Sequence, residues 1–221
     1  MKSDITAPPR VVSVNVGKPR TVTWAGRRVT SAIWKTPVTG RTRVEGVNLA
    51  GDDQADRRVH GGRDKAVYAY ATEDYMWWSS KLDTDLGPGA FGDNLTTERI
   101  DLQAEVVGRR WHVGSAVLEV AQPRQPCYKL GMRMGDAAFV DRFDESRRFG
   151  AYLRIVDAGE IGAGDEVVTG VPPAHGLTLA ELAGLQRNAP RALLERIASI
   201  DDVPQGWREW ARRQLGRRAH P

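Results

Sequence analysis

Short stretches in which apolar and polar side chains alternate dominate the first fifty positions: Val11 to Val16, Thr21 to Trp24, Val29 to Trp34 and Arg41 to Val47. A period of two sends successive side chains to opposite faces of a sheet, so these stretches predict strands and an antiparallel β start. Ala25-Gly26-Arg27 predicts a hairpin turn between the second and third stretches, and Thr39-Gly40 punctuates the next connection. The period changes at Thr72 to Leu82, where Tyr75, Met76, Trp78, Ser79 and Leu82 fall at helical spacing and Thr72 is placed to cap the first turn. The aromatic residues of that helix are read as core. Strand-like alternation returns at Arg109 to Val113, Ala116 to Ala121, Ala151 to Val156 and Glu166 to Thr169, with a short helix between Asp136 and Glu145. The expected class is α+β, mainly β with added helices.

The architecture changes at Val171-Pro172-Pro173-Ala174-His175-Gly176, too rich in Pro and Gly to continue a strand or a helix. This stretch, residues 171–176, is read as a linker between a β domain over 1–170 and a helical domain over 177–221. Thr178 and Glu181 have the spacing of a capping box in front of Leu179, Leu182 and Leu185. A second helix begins near Pro190 with Leu193, Leu194 and Ile197 on one face, and a third carries Trp207, Trp210 and Leu215. Three helices this short bury little by themselves, so they are expected to pack on the β domain, on a second copy in a homodimer, or on a partner.

Composition narrows the class. The 221 residues are 41% hydrophobic and 27% charged, and no apolar run approaches the about 20 residues that span a bilayer, so no membrane association is expected. The segment MKSDITAPPR lacks the apolar stretch of a secretory signal, which predicts a cytoplasmic protein with reduced thiols. The net charge of +4 permits a nucleic-acid partner. Arg208, Arg212, Arg213, Arg217 and Arg218 supply much of the excess, but they match no reading element and suit a solvated helix face better.

Candidate chemistry falls in three segments. In the first, residues 51–68, Gly61 and Gly62 would let backbone amides approach an anion, with His60 and Lys65 as further donors; a polar turn with solvated charges fits equally well. In the second, residues 89–96, Asn94 could offer its amide fork to a heterocycle edge, or open an Asx turn. The third, residues 122–130, holds Cys127, the one cysteine, between Arg124 and Lys129. Cations close to a thiol favour its thiolate form, a soft ligand for thiophilic metals. A structural zinc site is disfavoured, because one cysteine and four scattered histidines give no zinc-binding pattern. Composition alone leaves ahead the commoner fate of a lone cysteine, a small buried apolar residue.

The ordered set GDDQADRRVHGGRDKAVYAY (51–70), FGDNLT (91–96) and QPRQPCYKL (122–130) resembles the MOSC domain in its YiiM-like branch, where a three-helix domain follows the MOSC domain. The resemblance implies a β-barrel-like MOSC fold with a small C-terminal three-helix bundle, holding a molybdenum cofactor with Cys127 as the protein ligand to the metal. The family's HGG-D-K-A stretch falls on His60, Gly61, Gly62, Asp64, Lys65 and Ala66, and its FGEN element on Phe91, Gly92, Asp93 and Asn94, with Asp93 where Glu is usual. Gly92 belongs to that cofactor-binding set. His60, Lys65, Arg124 and Lys129 would neutralise the cofactor phosphate or the polar pterin, Asn94 would read a heterocycle or backbone edge, and Asp64 or His60 would relay protons. The activity implied is reduction of N-hydroxylated purine bases and hydroxylamines. No flavin, haem or iron-sulfur motif accompanies it, so a separate electron-donating reductase is expected as partner. The alternative is a molybdenum cofactor or sulfur carrier bearing a Cys127 persulfide. No pyridoxal-phosphate desulfurase domain is attached, so pyridoxal phosphate is not expected.

Overall fold

The computed structural model describes residues 7–55, 61–186 and 189–219. The strands are β1 (Arg10–Val16), β2 (Arg20–Trp24), β3 (Arg27–Ser31), β4 (Thr36–Pro37), β5 (Arg41–Glu45), β6 (Asn48–Leu49), β7 (Val67–Ala71), β8 (Leu95–Glu98), β9 (Arg110–Val113), β10 (Ala116–Pro123), β11 (Ala151–Asp157), β12 (Gly159–Gly162) and β13 (Val167–Thr169). The helices are α1 (Thr72–Leu82), α2 (Tyr128–Met134), α3 (Phe139–Ser146), α4 (Leu179–Ala183), α5 (Arg191–Ser199) and α6 (Gln205–Ala219).

An eight-stranded sheet in the order β13-β9-β10-β11-β7-β8-β1-β4 forms the frame, antiparallel except for the parallel pair β7 and β8 that α1 connects. The α+β class is as the patterning predicts, but the expected barrel does not close along a ladder. Instead the ends of the sheet meet at a single bridge, Arg10 to Glu166, supported by Val11 N–H to the Asp165 carbonyl at 2.8 Å and Val167 N–H to the Pro9 carbonyl at 2.8 Å. Separate small sheets, β12-β5-β6 and the hairpin β2-β3, complete the β structure. The hairpin turns at Ala25 and Gly26, both with positive φ (47° and 75°), the backbone that two-residue hairpin loops require.

Strand β7 shows how the core is built. All five of its residues are buried: Val67, Ala69 and Ala71 face a large aliphatic cluster, while Tyr68 and Tyr70 face an aromatic one with Tyr75, Trp78, Phe91, Phe139, Phe143 and Phe149. With both faces covered there is no alternation to read, which is why β7 escapes a period-two search. The aromatic residues of α1 are core as expected. Thr72 does not cap that helix: it lies inside the first turn, the capping position is Ala71, and the Thr72 hydroxyl finds no partner. Helix α2 also has no sequence forecast, because its glycine and short length blur any helical period.

The tail packs on the sheet. Leu177, Leu179, Leu182, Leu185, Leu194, Ile197, Val203, Trp207 and Ala211 share one cluster with Val107, Trp111, Val113 and Leu118 of the β region. The capping box forms as the spacing predicts: the Thr178 hydroxyl accepts from Glu181 N–H at 3.2 Å, and the Glu181 carboxylate accepts from Thr178 N–H at 2.9 Å. Two of the basic residues of α6 form local ion pairs, Arg208 with Asp201 at 2.7 Å and Arg213 with Glu209 at 3.8 Å. Among the described residues no helix is long and apolar enough to cross a membrane.

Candidate functional site

Strand β10 ends at Pro123 because Pro123 and Pro126 have no N–H to extend a ladder, and the chain leaves the sheet through Arg124 and Gln125. Cys127 follows at the N-cap of α2, with extended backbone (φ −140°, ψ 167°) and its carbonyl accepting from Leu130 N–H at 2.8 Å. The thiol is free and half-buried. It lines a cleft with about 670 Å³ of space between its walls, solvent at the mouth included. Lys35, Lys65, Arg124 and Lys129 line the same cleft, as do Asp53, Gln54, Gln125, Tyr68, Tyr152 and Ile33.

Positive charge is built into these walls. Arg124 is buried, donates from Nη1 to the Phe91 carbonyl, and lies 4.9 Å from the ring centre of Tyr68. Burial works against its charge, but Tyr68, Tyr152 and Cys127 outweigh it and the guanidinium keeps its proton. Burial holds the Lys65 ammonium below the ordinary lysine range, with Asp64 and Cys127 pulling the other way. Burial also lowers Lys35, against its ion pair with Asp52. The cleft thus presents one sulfur and several cationic donors, a match for a polyanion that leaves one metal position open to a thiolate.

Of the residues singled out in the sequence, the fold brings Cys127, Lys65, Gly92, Asn94, Arg124 and Lys129 to this one cleft. Gly61, Gly62 and Asp64 line a neighbouring chamber instead, between the 61–65 turn and the tail, which shares Lys65 and Gln125 with the cleft. His60 lies outside the described residues. Of the two edges expected for Asn94 the fold gives it the backbone one: Oδ1 accepts from Tyr68 N–H at 3.1 Å, and Nδ2 donates to the Asn15 carbonyl at 3.3 Å and to Asp52 Oδ2 at 2.9 Å, which leaves neither amide hydrogen for a heterocycle. The carboxylate of Asp64, proposed as a proton relay, is engaged by Arg154 Nε at 2.6 Å, so that role finds no support in its position. Gly92 has a packing role: its φ is +81°, and a Cβ there would sit 2.8 Å from Ile33 Cγ1.

Sequence reasoning missed Lys35, Asp52, Gln125, Tyr152 and Ile33. Lys35 carries one signal, a cation ending the apolar run Ala32-Ile33-Trp34, while Tyr152 looks like any strand residue. Asp93 is wholly buried and accepts from four donors: Tyr75 Oη, Thr96 Oγ1 at 2.7 Å, Asn15 Nδ2 at 3.3 Å and Gly89 N–H at 3.3 Å. The shorter acid therefore anchors the loop without reaching the cleft.

A family model for the MOSC domain matches residues 56–168, and the chain belongs to that family. Within it the chain is YiiM-like. The crystal structure of YiiM from Geobacillus stearothermophilus superposes with a TM-score of 0.78 at 29% identity, covering 94% of this chain and 100% of that one. The uncharacterized protein YflK of Bacillus subtilis (strain 168) is 32% identical over 200 residues, 90% of each chain. A protein named "Reductase" from Gibberella moniliformis is 32% identical over 146 residues, 64% of this chain and 26% of that protein.

Proposed function

We propose that this protein is a molybdenum-cofactor-dependent reductase of N-hydroxylated compounds, with Cys127 as the protein ligand to molybdenum. The observation that carries this reading is the meeting of one half-buried thiol with Lys65, Arg124 and Lys129 at a single cleft. Among the described residues no group of three or more His, Cys, Asp and Glu side chains converges, so those residues offer a metal the one sulfur of Cys127. That donor set fits a metal that arrives with its own dithiolene ligands and an anionic phosphate. The likeness to a fungal protein named as a reductase points the same way.

The bound cofactor would supply the two-electron chemistry, and this chain would supply binding, orientation and charge. Lys65 and Lys129 would hold the anionic parts, while Arg124, fixed by the Phe91 carbonyl, keeps a permanent positive charge near the sulfur. The overall change is R–NHOH plus two electrons and two protons to R–NH2 and water. The electrons would come from a separate reductase and the protons from solvent at the cleft mouth. The test is anaerobic turnover by purified holoenzyme with a reduced viologen as electron donor and a hydroxylamine or an N-hydroxylated purine as acceptor. Amine formed in equal amount to half the viologen oxidised is the result expected. Protein that holds molybdenum and forms no amine from either acceptor overturns the activity, and a Cys127 persulfide on molybdenum-free protein supports the carrier alternative.

A further inference from the structure

In the turn that carries Lys65 into the cleft, residues 61–65, Lys65 N–H reaches the Gly62 carbonyl at 3.1 Å, the Lys65 carbonyl accepts from Gln54 Nε2 at 3.4 Å, and Gly62 takes a φ of 94° that favours glycine. Two side chains of the sheet hold it, and both also hold the tail. Gln122 donates from Nε2 to the Asp64 carbonyl at 3.1 Å, and its Oε1 accepts from the indole N–H of Trp207 at 2.8 Å. Arg154, buried, donates from Nε to Asp64 Oδ1 at 2.6 Å, from Nη1 to Glu119 at 2.8 Å and from Nη2 to the Asp202 carbonyl at 2.9 Å. Trp207 belongs to α6 and Asp202 to the loop before it.

Each bridge fits this role chemically. Gln122 has one donor and one acceptor group, and both are used, one on each side of the junction. The guanidinium of Arg154 is planar and rigid, so three partners in one plane fix one another. Both link the tail to the residue next to Lys65. Across the junction lies a chamber of about 1180 Å³, solvent included, lined by Gly61, Arg63, Lys65 and Gln125 on one side and by Trp207, Trp210 and Arg213 on the other. It adjoins the Cys127 cleft through Lys65 and Gln125.

We infer that the helical tail is a working part of the cleft: acting through Gln122 and Arg154, it positions the 61–65 turn and with it Lys65. Gln122, Arg154 and Trp207 are positioning residues in this account, and removing the tail would free the two sheet side chains that hold the turn. The inference rests on the proposed site but not on the metal, so it is tested on the full chain without cofactor, by hydrogen exchange of the 61–66 amides.

Trp207→Phe keeps the ring and deletes the indole donor. Gln122→Glu keeps the acceptor for Trp207 but cannot donate to the Asp64 carbonyl. Exchange at 61–66 is expected to rise about tenfold or more in both, while β7 and β10 stay protected. In Gln122→Glu, α6 is expected to exchange as in the wild type, a separation that a general loss of packing would not produce. Unchanged exchange at 61–66 in both variants, or exchange raised equally across β7, β10 and the turn, overturns the inference. Molybdenum retained by dialysed holoenzyme is the second readout: faster loss in both variants than in the wild type supports it, and equal loss counts against it.

Discussion

The segments FGDN and QPRQPC border the same cleft, and the Asp93-Asn94 pair of the first and Cys127 of the second use their side chains in opposite ways. Asp93 takes four donors and Asn94 has three partners, all inside the protein, so that loop is finished before any ligand arrives. In the other segment Cys127 caps a helix with its backbone alone and leaves its sulfur in the cleft, with Arg124 and Lys129 beside it. The contrast separates residues that build a site from residues that face it. A motif read from sequence gives both kinds the same weight.

Asp93→Ala is the strongest way to break this comparison. It strands four buried donors and should cost about 3–5 kcal/mol of stability, read by urea denaturation. Burial holds the Asp93 carboxyl above the ordinary carboxylate range despite those donors. With a folded value raised above the unfolded one, its contribution is fully present below about pH 4 and is lost as pH rises through the folded value. Wild type should therefore lose stability relative to Asp93→Asn as pH is raised from 3 toward 7, and parallel pH profiles would contradict this reading.

Gly92→Ala comes next, at about 1–3 kcal/mol, because it combines a positive φ with a clash against Ile33, a residue of the cleft wall. Thr178→Ala, far from the cleft, should cost about 1 kcal/mol through loss of the capping box and leave the cleft unchanged. At the facing wall the expected effect falls on the ligand. Lys129→Met should weaken retention of an anionic ligand about tenfold, measured by equilibrium dialysis of the holoprotein.

The sheet was legible where one face of a strand is covered and the other wet, as in β5 and β9. It was illegible in β7, where aliphatic residues fill one face and tyrosines the other, and in α2, where Gly131 interrupts a short helix. The site divides along similar lines. Cys127, Arg124, Lys129 and Lys65 stood out because charge and sulfur are conspicuous in their segments. Lys35 and Tyr152 did not, because they reach the cleft from the loop before β4 and from β11, and only the folded chain brings them there. Nor does sequence reveal that Asn94 is consumed, since its three partners come from Asn15, Asp52 and Tyr68.

The central claim is that Cys127 faces the cleft in order to hold a metal. Metal analysis of wild type and Cys127→Ser, both purified from cells that make the molybdenum cofactor, tests it directly. The account predicts molybdenum bound in the wild type and a loss of about tenfold or more in Cys127→Ser at unchanged unfolding midpoint. Equal molybdenum in the two proteins would contradict it.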